Sequence, residues 1–392
     1  MDLRTPTSTN EFAQAWGNAY RQGARLRVRG ADTKLRFAGP VAEADIAFDT
    51  SGLSFNGEYD PRDLTIRVGA GMPFADLAET LKAEGQMLPL DPPFHEGATV
   101  GGVVAANLCG PRRRGYGTAR DFVIGVEFAD WRGRLVQSGA MVAKNVAGYD
   151  LNKLFVGSWG VLGPMLTLNF RVSPLERQTT TFLVQGRTEA EYRAVRDRAL
   201  RGFAQPIAVD YVNATAGELL RLNGSALLLR YANAPAVIER LRASLDLPEA
   251  VDPELEPYLW LRLREWFHHQ VTGYADGALL QLSTVHSRLF ADAASLGGRV
   301  MARAASGVIY ASYRDSETAL ETMRFLERQG RTVTLLSASE PVRESLAART
   351  LGAERAARTG TPMPGDFALM EKVKAHFDPQ GLVNRGRLHG WF

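Results

Sequence analysis

Residues 98–164 read ATVGGVVAANLCGPRRRGYGTARDFVIGVEFADWRGRLVQSGAMVAKNVAGYDLNKLFVGSWGVLGP, and the reading of this stretch decides the fold. Glycine recurs between short apolar runs such as Val123-Ile124, from Gly101 and Gly102 through Gly139 to Gly163. A flexible linker would not carry such runs. Glycine admits positive φ and lets a second group approach the backbone closely. Two readings fit the pattern. One is a turn-rich β domain. The other is a backbone shaped around a large flat ligand, with N–H groups left for its polar atoms.

The order ATVGG, Asn107, Gly110, Tyr116-Gly117, Asp121, Gly139, Lys144–Asp150, Leu154, Gly157-Ser158 and Gly163 resembles the second half of a PCMH-type FAD-binding domain, of the vanillyl-alcohol oxidase-like flavoprotein superfamily. Within that superfamily the string KNVAGYDLNKLFVGSWG, residues 144–160, is similar to the FAD-binding E-type subunits of bacterial glycolate oxidase. The resemblance implies an α+β fold: an FAD-binding domain of two α+β subdomains (1–175), an antiparallel-sheet cap with helices on one face (176–350), and a carboxy-terminal segment returning to the FAD domain (351–392).

It also implies a cofactor site. A strand over 25–29 runs into Arg29-Gly30-Ala31-Asp32-Thr33-Lys34, where the resemblance places the pyrophosphate loop. Asp32 must then point away from the phosphates or shape the turn. Pro89 belongs to a stiff segment beside the cofactor edge. Thr99, Val100, Gly101 and Gly102 form a ligand-shaping turn, and Asn107 is a donor to the flavin or a brace for its loop. Gly110, Gly115, Tyr116, Gly117 and Asp121 continue the site. Asn145, Gly148, Tyr149 and Asp150 follow around the isoalloxazine or ribityl region, then Gly157, with Asn384 on the flavin side. Cys109 matches no tethering position and no histidine stands in the 30–34 loop, so non-covalent FAD is expected. Three positions depart from the family pattern: Ala31 for a glycine, Trp159 for an acidic residue and Arg385 for a proline.

Composition bounds the alternatives. The chain has 392 residues, 45% hydrophobic, enough for two or three domains. Lys+Arg is 46 against 43 for Asp+Glu, so charge gives no case for nucleic acid. Arg112-Arg113-Arg114 reads as a solvated loop, with no aromatic platform beside it. One cysteine excludes an intrachain disulfide and a cysteine-held iron–sulfur cluster in this chain alone. No leader-like or membrane-spanning apolar run is present. The expectation is a cytoplasmic chain, with any link to the inner face of a membrane made through a complex.

Apolar spacing predicts a helix over 9–23 capped by Ser8 or Thr9, strands over 44–49 and 64–68, and a helix over 74–84. Gly69-Ala70-Gly71-Met72-Pro73-Phe74 fails the dinucleotide fingerprint at Phe74. His95-Glu96 reads as a surface polar pair. Beyond residue 176 strands and helices alternate in two rounds, as one antiparallel sheet with helices on one face. Trp260-Leu261-Arg262-Leu263-Arg264-Glu265-Trp266-Phe267-His268-His269 is first a packing patch and second a docking surface. His268 and His269 make no metal triad with His286. Phe367–Phe377 reads as a helix.

In such flavoproteins the substrate α-carbon gives hydride to the flavin while a base takes the hydroxyl proton. The resemblance implies glycolate oxidation to glyoxylate by a complex of a GlcD-like sister flavoprotein, this E-type flavoprotein and a GlcF-like iron–sulfur subunit. D-type relatives carry a histidine-rich metal site. With six histidines and no such cluster, no metal is expected here, and an accessory or electron-relay role follows. Two alternatives stay open: a stand-alone FAD-dependent 2-hydroxy-acid or alcohol oxidoreductase, and a structural subunit without FAD.

Overall fold

The structure, a computed structural model, describes residues 1–141, 150–350, 366–390 and 392. Three sheets carry it. The first is parallel, with β2 (Leu26–Arg29) and β1 (Asp2–Arg4) on either side of β3 (Ile46–Asp49). The helix α1 (Thr9–Arg21) lies against it. Ser8 caps α1 by accepting from the Glu11 N–H, and the apolar face Phe12, Trp16 and Tyr20 is buried. Phe12 and Trp16 each meet the Phe48 ring with centroids 5.3 Å apart.

The second sheet is antiparallel, in the order β4 (Asn56–Asp60), β5 (Thr65–Gly69), β9 (Met165–Arg171), β7 (Val123–Ala129), β8 (Leu135–Gly139). The helices α2 (Phe74–Ala83) and α3 (Val100–Ala106) pack on its apolar face. The glycines of 69–71 serve protein packing: a Cβ on Gly71 would stand 1.7 Å from the Thr50 carbonyl oxygen. That agrees with the rejection of a dinucleotide fingerprint. A short pair joins β6 (Gln86–Met87) to β10 (Ser173–Pro174).

The third sheet has seven antiparallel strands in the order β11 (Thr180–Gln185), β13 (Ala226–Tyr231), β12 (Ala208–Val212), β15 (Arg299–Arg303), β16 (Val308–Tyr313), β14 (Ala278–Ser283), β17 (Thr332–Ser337). Alternate residues face opposite sides. Phe182, Tyr211, Leu229, Leu280 and Ile309 meet the apolar stripes of helices Glu189–Arg201, Pro235–Leu245, Leu289–Ser295 and Ser316–Arg328. The other face is not bare. Ala208, Leu228, Met301, Tyr310 and Leu336 are covered by Trp260, Trp266 and Phe267, with Phe37 and Phe94 from the amino-terminal part. The stretch 260–269 is thus a packing element, built as helices Glu256–Arg264 and Trp266–Thr272.

Two expectations need correction. Arg112 is not in a solvated loop. Its guanidinium bridges Asp91 (2.6 Å) and Glu176 (2.8 Å), clamping the second sheet's loops to the start of the third. Nor is His95-Glu96 a surface pair. Glu96 is exposed, but the His95 ring turns inward against Phe74, centroids 5.3 Å apart, because the Glu265 carboxylate holds the Phe94 and His95 N–H groups.

The chain returns to the amino-terminal part after the helix Phe367–Phe377. Asp378 accepts from the Lys374 ammonium (2.7 Å), the Tyr20 hydroxyl (2.7 Å) and the Leu382 and Val383 N–H groups. Burial pushes the Asp378 carboxyl up, but Lys374 and the backbone donors outweigh it and hold it below the ordinary carboxylate range. Asp378→Ala leaves a buried ammonium without its counter-ion and is expected to cost about 3–5 kcal/mol, read as a lower denaturant midpoint at unchanged slope. A depressed carboxyl contributes stability above its unfolded value of about 4 and loses it as pH falls through the folded value. The wild type is therefore expected to lose more stability between pH 5 and pH 3 than the variant; equal losses would remove Asp378 from this role.

Candidate functional site

A cleft opens between β2, the loop that follows it, α3, the turn around Trp159 and residues 382–387. With its mouth it encloses about 1000 Å³ of empty space, the upper end of the range for small-molecule sites.

The strand β2 supplies one wall. Arg27 and Arg29 lie two residues apart, so both side chains leave the same face. Both grip the Asp32 carboxylate, at 2.8 and 3.0 Å. Asp32 sits at φ 56° and shapes the turn with its charge already neutralised. The loop then passes very close to α3: a Cβ on Gly30 would fall 2.4 Å from Thr99 Oγ1. Thr99 caps α3 by accepting from the Gly102 N–H, so the hydroxyl cannot simply swing away.

The opposite wall is set by Asn384. Its backbone N–H donates to the Leu26 carbonyl, its Oδ1 accepts from the Val28 N–H at 2.8 Å, and its Nδ2 donates to the Trp159 carbonyl at 3.1 Å. Three stretches distant in sequence are fixed by one side chain. Arg387 lies beneath the Trp159 ring, 5.2 Å from its centroid, and donates to the carbonyls of Lys34, Leu35 and Gly39.

The electrostatics are lopsided. Lys34 and Arg387 line the cleft, both nearly fully buried at 7% and 8% exposure. Among the described residues neither has a carboxylate within ion-pair distance. Among the described residues the Lys34 ammonium meets the Thr33 hydroxyl at 3.2 Å and the Phe94 ring at 5.5 Å. Burial, opposed only by the more distant Glu265, pulls Lys34 down to about 8. Burial likewise lowers Arg387 to about 9, with Arg343 and Arg27 adding repulsion. Two desolvated cations facing an open cleft call for an anion.

Of the residues expected from sequence, the cleft brings together Arg29, Gly30, Ala31, Asp32, Thr33, Lys34, Thr99, Gly101, Gly102 and Asn384. The others stand outside its lining. Pro89 and Val100 are buried in packing. Asn107 ends α3 at φ 48° and accepts from the Cys109 thiol. Gly110 lies against the Asp91 backbone and Gly115 against Ile207. Tyr116 donates to Glu176, Gly117 abuts Asp121, and Asp121 completes a helix cap with Thr118. Asp150 is exposed, and Gly157 lies near Asn107. Asn145, Gly148 and Tyr149 fall outside the described residues. Sequence reasoning missed Arg27, Ala105, Trp159, Gly160 and Arg387 as lining residues. Arg27 left a signal as the same-face neighbour of Arg29, and Trp159 and Gly160 stood in the quoted motif, Trp159 as a departure from its pattern.

A second polar cluster lies inside the interface between the sheets. Asp210 and Arg303, on adjacent strands β12 and β15, form a buried ion pair. Burial, only partly offset by Arg303, raises the Asp210 carboxyl to about 6. Among the described residues Asp210 Oδ1 and Arg303 Nε find no hydrogen-bond partner. Among the described residues no group of three or more His, Cys, Asp or Glu could hold a metal, and no helix is long and apolar enough to cross a membrane.

Known proteins place this geometry. Residues 3–139 match the FAD binding domain family, and FAD is the cofactor that this part of the chain is built to bind. Glycolate oxidase subunit GlcE of Escherichia coli (strain K12) is 45% identical over 153 residues, covering 39% of this chain and 43% of that protein. Glycolate oxidase subunit GlcD of Bacillus subtilis (strain 168) is 30% identical over 178 residues, 45% of this chain and 38% of that protein. The matched stretches thus span less than half of either relative. Among solved structures, alkyldihydroxyacetonephosphate synthase superposes with a TM-score of 0.70 at 14% identity, over 97% of this chain and 75% of that one. That likeness shows the fold.

The Gly30–Thr99 contact gives a prediction. Gly30→Val is expected to force loop and helix apart and to weaken FAD binding at least tenfold by fluorescence titration, with Thr99→Ala in the same chain recovering part of the loss. Unchanged affinity in the single variant would mean that this contact does not set the cleft.

Proposed function

We propose that the chain is the FAD-carrying subunit of a multi-subunit glycolate oxidase, and that it serves electron relay or support rather than substrate oxidation. The observation that carries the reading is the cleft with two buried, uncompensated cations, within a chain that resembles subunits of that enzyme. FAD would lie non-covalently along the 29–34 loop, its anionic portion facing Lys34 and Arg387. When bound, it supplies reversible hydride and electron acceptance. The chain's own groups hold and orient it: Asn384 fixes the distance between the walls, and Thr99 and Gly30 set the loop against α3. The cap face turned toward the amino-terminal part is packed by Trp260, Trp266, Phe267, Phe37 and Phe94, an apolar layer poorly suited to hold a small polar acid. A sister flavoprotein and an iron–sulfur protein are the expected partners, with glycolate as the substrate of the whole complex.

A stand-alone FAD-dependent 2-hydroxy-acid oxidoreductase has one observation in its favour. Asp210 and Arg303 face the interface with two unsatisfied polar atoms, and a carboxyl raised to about 6 is suited to accept a hydroxyl proton. Purification of the chain followed by visible spectroscopy and acid precipitation tests both readings. The relay reading predicts flavin bands released into the supernatant and no bleaching by glycolate under anaerobic conditions until the partner flavoprotein is added. Bleaching of the isolated chain by glycolate would move the chemistry to this subunit. A colourless protein that takes up no added FAD would leave only a structural role.

A further inference from the structure

Lys34 lines the cleft with a charge that the described residues leave almost unanswered. It sits in a loop pinned from three sides. Arg387 and Arg343 both donate to the carbonyls of Leu35 and Gly39. Arg36 donates to the carbonyls of Tyr274, Ala275 and Gly277 in the cap. The loop therefore cannot readily carry its lysine out to water. The side chain is boxed by the Phe94 ring, and Phe94 is itself held by Glu265 through its backbone N–H. Among the described residues Glu265 of the cap is the one carboxylate that acts on the ammonium, from beyond ion-pair distance; on the loop side the Arg387 guanidinium meets the Lys34 carbonyl, with Arg343 acting on Arg387 in turn. Arg27 and Arg29, by contrast, spend their charge on Asp32.

We propose that Lys34 is the proton-carrying counter-ion of bound FAD: its ammonium pairs with an anionic portion of the dinucleotide, and binding is accompanied by uptake of a proton at this one side chain. The inference rests on the FAD-binding reading above and goes beyond it by naming the residue and the proton. The reasoning is electrostatic. An ammonium desolvated without a partner loses its proton at lower pH, and an anion placed beside it restores the ordinary value. In the cofactor-free protein Lys34 is therefore partly neutral near its lowered value and charged once FAD is bound. The balance is one proton taken from solvent per FAD bound by a neutral Lys34. No other bond is made or broken. By linkage, affinity is highest below that value and falls as pH rises through it. In the free protein the buried charge is a burden on stability below that value and is relieved on the alkaline side.

Two chemical sources of the anion are distinguishable. One is the pyrophosphate. The other is the flavin ring, which gains negative charge on reduction. The experiment removes FAD from the full chain, rebinds it by calorimetry from pH 6.5 to 9.5 in buffers of different ionisation enthalpy, and records the flavin midpoint potential of Lys34→Met and Lys34→Arg. The expected result is proton uptake near pH 8.5 in the wild type and none in either variant. Affinity should fall roughly 10- to 100-fold in Lys34→Met, in the range of a lost charge-assisted hydrogen bond. Lys34→Arg should restore affinity without the alkaline decline, because the guanidinium stays charged. A loss of affinity for oxidised FAD assigns the pyrophosphate. A lowered potential with little change in that affinity would put the anion on the reduced ring, with proton uptake on reduction and none on binding, and overturns the proposal as stated. Proton uptake that persists in Lys34→Met, or a variant equal to wild type in affinity and potential, overturns the proposal while FAD binding stands. Failure of the wild type itself to bind FAD overturns the reading beneath it.

Discussion

Asn384 is the point on which the arrangement turns. One side chain accepts from β2, donates to the Trp159 turn and stands at φ 45°. Asparagine tolerates that left-handed geometry better than most residues. Backbone pairing of Leu26 with Leu382 and Asn384 sets the register of the carboxy-terminal segment against β2, and the Asn384 side chain ties the Trp159 turn to that edge. The approach is supported from below by Asp378, which ties Lys374, Tyr20 and the backbone of 382–383 into one buried network. A charged network of this kind is costly if half made and rigid when complete.

Each layer rests on the one before it. The amphipathic faces of α1, α2 and α3 bury two sheets, and the loop after β2 closes on α3 at Gly30 and Thr99. The seven-stranded sheet closes over that loop, with four helices outward and an aromatic layer carried largely by two short helices inward. Arg112, Arg36 and Glu265 then fasten the two parts across their boundary. What results is a rigid cradle whose lining is more cationic than its own carboxylates can balance. Functional sites are where such local imbalance is tolerated.

Much of this was legible in the chain. Alternation and apolar spacing placed β5, α2, α1 and the seven-stranded sheet, because these depend on local periodicity. For Asp32 the sequence left two choices, to point away from a phosphate or to shape the turn; the structure has it in the turn at φ 56°, paired with Arg27 and Arg29. The glycines from 110 to 117 were another matter. They were read as making room for a flavin, yet Gly110 makes room for the Asp91 backbone and Gly115 for Ile207. The physical demand is the same, a close approach to the backbone, and sequence does not say what approaches. Arg387 escaped for a different reason. Its place beside Lys34 is set by the return of the chain, the partners standing 353 positions apart, and no local pattern reports that. His95 and Arg112 were placed at the surface on polarity alone, whereas carboxylates distant in sequence draw them in.

The most direct test of the account is the crystal structure of the flavin-loaded chain. The account predicts FAD within the cleft, its pyrophosphate within hydrogen-bond distance of backbone N–H groups of residues 30–34 and one anionic atom within reach of the Lys34 ammonium. Stoichiometric FAD bound elsewhere, with Lys34 and Arg387 still facing solvent-filled space, would contradict it.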